Sequence, residues 1–166
     1  MKEKRQYARF PVQHIMRPTI PRLAVISLVA TALAACSAST APDFELRAAR
    51  ALWQQRQLAS YDVTVSRSCE CTAQMSGPVV VAVRSGEIVS RTYVMTGAAV
   101  EQRYASLFPS IDGLFATIDD ARRRNAASVV VEYDRTLGFP TLIAIDYERM
   151  MADDEITVRA TDLRVR

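Results

Sequence analysis

"SVVVEYDRTLGFPTLIAIDYE", residues 128–148, holds two runs rich in β-branched and aromatic residues, separated by a few turn-formers. Ser128 to Asp134 reads as one strand and Pro140 to Glu148 as the next. Arg135 to Phe139 connects them, with Gly138 supplying the turn. A connection this short joins antiparallel neighbours, because a parallel pair needs a crossover of a dozen or more residues. The pattern extends both ways along the chain. Downstream, Glu155 to Val165 is a third strand, reached through "RMMADD", Arg149 to Asp154. Upstream, Tyr61 to Arg67, Pro78 to Arg84 and Glu87 to Met95 make another three. Ser85-Gly86 is the hairpin connection between the last two.

Two helices precede these strand triplets. "IDGLFATIDDARRRN" places Ile111, Leu114, Phe115, Ile118 and Ala121 on one face at helical spacing. Ser110 is its N-cap, Asn125 can end it in the left-handed conformation, and Arg122 to Arg124 complement the dipole at its C-terminus. "FELRAARALWQQRQL", Phe44 to Leu58, is rich in helix formers, with Asp43 as its cap. Its apolar side reads as Phe44, Ala48, Leu52 and Trp53, with Trp53 as a core anchor. Thr96 to Pro109 reads as a strand edge or a loop. The order α-β-β-β-α-β-β-β predicts an α+β fold with one antiparallel sheet and both helices packed on one face. It also suggests a duplicated unit, although the residues themselves do not repeat.

The N-terminal segment has another character. Lys2, Lys4, Arg5, Arg9, Arg17 and Arg22 make it basic, and "LAVISLVATALAA", Leu23 to Ala35, is apolar. That run is too short to cross a bilayer, which needs about 20 helical residues. A basic region, a short apolar region and small residues before a cut site describe a secretory signal over residues 1–35. "LAAC", Leu33 to Cys36, resembles the lipobox of bacterial lipoproteins. That resemblance implies acylation of Cys36, cleavage before it, and attachment to membrane lipid. The alternatives are a plain signal peptide or an anchor that stays attached. Met16 opens a compact signal of its own, so translation starts at Met1 or Met16. Residues 36–42 then form the acylated cysteine and a short tether, and 43–166 a single domain.

Six of the 21 basic residues and one of the 18 acidic ones precede Cys36, which leaves 15 against 17. The processed chain therefore carries about −2 rather than +3. It has no basic patch with interleaved aromatics, so no nucleic-acid partner is expected. The single histidine, His14, lies in the signal. This removes histidine-dependent nucleophilic sites, His-ligated zinc and His general bases from the domain.

Several stretches carry a family resemblance. "YDVTVSRSCEC", "VAVRSGEIV", "LFATIDDA" and "VVEYDRTLGFPTLIAIDYERMMADDEI" resemble a bacterial domain of unknown function, number 6174 in that naming series. The shared features are Tyr61, a C-x-C, the Y-D-x-x-x-G-x-P stretch from Tyr133 to Pro140, Asp146, and the acidic "ADDE" of Ala152 to Glu155. The resemblance implies secretion and a fold, and no reaction. The layout is also similar to that of small periplasmic inhibitor and assembly-factor lipoproteins, a likeness of architecture only.

Three groups of residues are candidates for chemistry. Cys69 and Cys71 lie past a signal, where an oxidising compartment favours a disulfide. Residues i and i+2 of a straight strand stand too far apart for the bond, so the bridge requires a turn or bulge at Glu70. The competing readings are a redox-active C-x-C and a thiolate site for Cu(I), which lacks a third ligand. Asp134, Asp146, Asp153, Asp154 and Glu155 form an acidic set, without the spacing of a calcium loop. Asp134 is expected to hydrogen-bond the backbone of its turn. Tyr133, Phe139 and Tyr147 make either an exposed aromatic patch or cross-strand packing. Tyr133, Asp134, Phe139 and Asp146 are the candidate binding residues; no catalytic residue, metal or cofactor is expected. The functional expectation is a non-enzymatic binding or assembly module with an envelope-protein partner. It would be lipid-anchored in the bacterial cell envelope, on the periplasmic or cell-surface side. The alternatives are a thiol–disulfide protein using Cys69 and Cys71, or an inhibitor-like module. Ser37 after Cys36 lacks the aspartate associated with inner-membrane retention.

Overall fold

The strands alternate buried and half-exposed residues, and that alternation builds the core. In β1 (Tyr61–Ser68), Tyr61, Val63 and Val65 are buried; in β2 (Val79–Arg84), Val79, Val81 and Val83 are. The computed structural model describes residues 41–148 and 155–166. Full burial of one such valine or isoleucine stabilises by about 1.5–3 kcal/mol, so this stripe dominates the fold's energetics. It is continued by Ile143 and Ile145 of β5 (Pro140–Asp146) and by Val158 and Ala160 of β6 (Ile156–Val165). β3 (Glu87–Tyr93) and β4 (Ser128–Tyr133) complete a six-stranded sheet in the order β3-β2-β1-β6-β5-β4. Every neighbouring pair is antiparallel. The Ser85-Gly86 turn has φ of 52° and 83°, the pairing of left-handed residues that two-residue hairpins use.

The sheet is two three-strand meanders joined where β1 pairs with β6, Thr64 opposite Thr161. A duplicated unit would place β1 and β4 alike. Instead β1 is central and β4 is an edge.

One face of the sheet is covered by helices. α1 spans Ala41–Gln55 and α3 spans Ile111–Arg123, with a one-turn helix, α2, at Ala73–Ser76. The expected apolar face of α3 is buried in full, and the Ser110 hydroxyl accepts the Gly113 N–H at 3.3 Å as its cap. Asn125 follows at φ 54° and ends the helix. The Tyr61 hydroxyl accepts the Ile111 N–H at 3.0 Å, tying the start of α3 to the sheet. Burial pushes the Tyr61 phenol up, and Asp112 adds to that.

α1 departs from expectation in register and in face. It begins at Ala41, so Ala41 and Pro42 belong to the helix rather than to a tether. Asp43 sits in the first turn instead of capping, and it pairs with Arg122. The helix ends at Gln55, before a left-handed Gln57 at φ 49°. The buried stripe is Leu46, Ala49 and Trp53, while Phe44 is 66% exposed. Phe44, Ala48 and Leu52 repeat every fourth residue and so form a competing stripe. Contact with α3 decides between them: Arg50 clamps Asp119 with bonds of 2.8 and 2.9 Å, and the Trp53 indole donates to Asp112 at 3.0 Å.

Three of the strands end earlier than the sequence suggests, while β2 and β6 end as expected and β1 runs one residue longer. β3 stops at Tyr93, β4 at Tyr133 and β5 at Asp146. Thr96 to Pro109 holds a 3₁₀ helix, Gln102–Leu107, and a bridge from Ala99 back to Thr92. Among the described residues no helix is long and apolar enough to cross a membrane.

Candidate functional site

The stripe of α1 left out of the core faces a groove. Phe44, Ala48 and Leu52 form one wall, and Val131, Tyr133 and Thr141 of the β4–β5 hairpin form the other, around a volume of about 650 Å³. Glu45, Glu132, Asp134 and Arg135 bring charge to its rim, and Gly138 lies at its base. The wall on the strand side is fixed from within: Tyr133 stacks on Phe115 of α3 at 6.4 Å between ring centroids. Burial pushes the Tyr133 phenol up, while Arg122 and Arg50 pull it down and Glu45 raises it again.

The turn beneath the groove is held by Asp134. Its carboxylate accepts the Thr136 and Leu137 N–H groups at 2.8 and 2.7 Å. The backbone adds Gly138 N–H to the Asp134 carbonyl at 2.9 Å, and Asp134 N–H to the Phe139 carbonyl at 2.8 Å. This is the backbone-bonding role that an aspartate beside a turn suggests.

Of the four residues proposed for binding, the structure brings Tyr133 and Asp134 together in the groove. Phe139 is 6% exposed and belongs to the core, edge-on to Trp53 at 6.3 Å. This corrects the patch reading for Phe139: an aromatic that ends a turn and enters a strand packs against the helix above it. Asp146 lies at the far end of the hairpin, opposite Ser128, five residues along β5 from Thr141 and so roughly 16 Å from it at the rise of a strand. Its Oδ1 is buried and has no hydrogen-bond partner among the described residues, beside Glu155 in a small cavity of about 90 Å³. Tyr147 packs partly against the core under the Arg124 guanidinium, 4.2 Å from the ring centroid. Cys36, the signal segment, the Met16 start, Asp153 and Asp154 lie outside the described residues.

Cys69 and Cys71 are joined as a disulfide with their Cα atoms 5.3 Å apart. The chain turns at Glu70, and the Cys71 N–H donates to the Cys69 carbonyl at 2.8 Å. The bend that the bond requires is therefore present. Just before it, Arg67 continues the inward parity of Tyr61, Val63 and Val65. Burial pushes the pKa of its guanidinium down, and its Nε is buried with no hydrogen-bond partner among the described residues.

Sequence reading does not find the charge cluster at Asp62. On the sheet face away from the helices, Asp62 accepts from Arg84 at 2.8 Å and from Arg166 at 2.7 Å. Burial works against the Asp62 carboxylate, but the two arginines outweigh it and hold its pKa below the usual range. A depressed carboxylate contributes stability above its unfolded pKa, near about 3.9, and loses it as pH falls through the folded value. The protein is expected to lose part of its urea midpoint between neutral pH and about pH 3. Asp62→Asn should start lower and show a shallower decline. Equal declines in both proteins would remove Asp62 from the acid response.

No curated protein matches this chain, and no solved structure matches it. The model described as "Family of unknown function (DUF6174)" matches residues 45–165, from the second turn of α1 to the last residue of β6. That span takes in most of α1, the other two helices, all six strands, the C-x-C and every groove residue except Phe44, and the chain belongs to this family.

Proposed function

We propose that the protein is a membrane-anchored binding module of the bacterial cell envelope. Acylated Cys36 holds it to lipid, and the groove between α1 and β4 receives a partner protein without catalysis. The observation that carries this reading is the groove itself, with an aromatic side chain two-thirds exposed at its mouth. A large exposed phenylalanine beside a concave apolar wall is a contact surface of the kind partners cover. The lipobox-like "LAAC" and the basic, then apolar, segment before it support the anchor.

The test places a photo-crosslinking amino acid at position 44 of the full chain in growing cells, with position 89 as control. Val89 is 59% exposed and lies on β3, away from the groove. A discrete protein adduct at position 44 and none at 89 is the expected result. Adducts equal at both positions, or none at 44, would remove the groove as a docking surface. Cys36→Ser should release the protein from the membrane fraction.

A second reading is a thiol–disulfide protein. Its support is that the Cys69–Cys71 bond lies outside the hydrophobic core, at the end of β1. The bond closes so short a loop that it restrains the unfolded chain little. The double variant Cys69→Ser/Cys71→Ser is expected to lose at most about 2 kcal/mol in urea unfolding. If the bond also resists graded reduction to potentials near the glutathione range, it is a local staple. If it reduces readily there, the redox reading gains.

A further inference from the structure

The sheet has two edges, and the chain treats them differently. β3 is covered by its own continuation. The Tyr93 N–H donates to the Ala98 carbonyl and the Val100 N–H to the Arg91 carbonyl, both at 2.9 Å, with Ala99 bridged to Thr92. Among the described residues β4 pairs with β5 alone, so its other side presents alternate N–H and C=O groups. Exposed edges are usually blunted by lysine, proline, inward charge or a covering segment. β4 reads "SVVVEY", with no lysine, no proline and one charge, and Val130 is 55% exposed. Its single irregularity, between Glu132 and Tyr133, lies at its end.

We propose that β4 is a recognition edge: an extended, basic peptide segment of the partner adds to it as a seventh strand. This rests on the groove reading above and names its occupant. Strand addition takes affinity from backbone hydrogen bonds and specificity from alternate side chains. Here the alternation has a floor, because the groove flanks the edge. A residue opposite Val131 lies over Ala48 and Leu52, and is apolar. The charge at this site is acidic in balance, Glu45, Glu132 and Asp134 against Arg135. Asp134 already spends one oxygen on its turn, and Glu45 lies with Val131 on the helix side, so Glu132, exposed on the opposite face, selects arginine or lysine at the neighbouring positions. The same acids disfavour a second copy of this chain, whose β4 would bring acid toward acid.

The probe is a blocked heptapeptide of alternating valine and arginine, titrated into the full chain in detergent. Two matched peptides serve as controls: one with alternate backbone amides methylated, the other with glutamate for arginine. Saturable binding of the first is expected, with each control about tenfold weaker or worse. Glu132→Arg, a substitution at an exposed position, should reverse the preference between arginine and glutamate peptides. Equal binding of the methylated peptide would overturn strand addition, while a position-44 adduct would leave the groove reading intact. Equal binding of the glutamate peptide would overturn the basic preference. A dimer that excludes the peptide would make a second copy the occupant and overturn the proposal. No binding of any peptide, with the position-44 adduct present, would overturn it as well.

Discussion

Trp53→Ala is expected to lower the unfolding free energy by about 3–5 kcal/mol, the range for a truncated core aromatic. Trp53 is 4% exposed and joins three parts of the structure. Its ring meets Tyr61 of β1 edge-on at 5.4 Å and Phe139 of the β4–β5 turn at 6.3 Å. Its indole N–H donates to Asp112 in the first turn of α3. Truncation removes the two ring contacts, opens a cavity under α1, and takes the donor from Asp112. Domains of this size hold only about 5–15 kcal/mol in total, so the variant should lose a large share of its stability. Trp53→Phe keeps most of the ring volume and loses the hydrogen bond, and should cost about 1–2 kcal/mol. Urea unfolding, with the slope unchanged and the midpoint lowered, is the measurement. A Trp53→Ala protein as stable as the wild type would mean that α1 is not seated through this residue.

Gly138→Ala is the second large effect, on the order of 3 kcal/mol or more. Gly138 has φ of 80°, a left-handed conformation that costs an L-residue roughly 1–2 kcal/mol. A Cβ there would also stand 2.3 Å from the Ala49 carbonyl oxygen and 2.9 Å from the Leu52 Cβ. Those atoms belong to α1, and Ala49 and Leu52 both line the groove. The clash is relieved only by moving the helix off the turn, which widens the groove. Gly86→Ala separates the two contributions. Its φ is 83°, but a Cβ there meets no atom of the described residues within 4 Å. It should lose about 1–2 kcal/mol and leave the groove unchanged. Similar losses in the two variants would show that the turn does not press on α1. Position-44 crosslinking should fall in Gly138→Ala and persist in Gly86→Ala.

These two residues also show what the sequence discloses. Gly138 is legible as a turn glycine, because it sits between two strand-like runs. Its approach to α1 is not legible, since the contact joins segments far apart in the chain. α3 is readable almost residue by residue: one unambiguous apolar stripe, a serine cap and an asparagine stop agree with each other. α1 offers two stripes, and only packing against α3 chooses between them. The stripe that reads as core forms the groove wall, so the sequence places Trp53 correctly and Phe44 incorrectly. Thr96 to Pro109 has no periodicity to read; it is held by long-range bonds such as Arg91 Nε to the Phe108 carbonyl at 2.7 Å. The bend at Glu70 follows from bond geometry alone. Tyr133 and Asp134 stand out in the sequence and do line the groove. Phe139 and Asp146 share their hairpin but not their surroundings, because strand direction carries Asp146 away and the helix above buries Phe139. The Asp62 cluster escapes a reading of the sequence because its arginines come from β2 and from the last residue of the chain.

The most direct test of the groove as a docking surface works whatever the partner is. Ala48→Cys puts a thiol in the groove wall, and Val89→Cys puts one on β3 as a reference. Maleimide labelling of each full-length variant is timed in intact cell envelopes and again after purification in detergent. A docked partner predicts that position 48 labels several-fold more slowly in envelopes than in detergent, while position 89 labels alike in both. Equal labelling of position 48 in the two settings would mean that nothing covers the groove where the protein works, and would contradict the account.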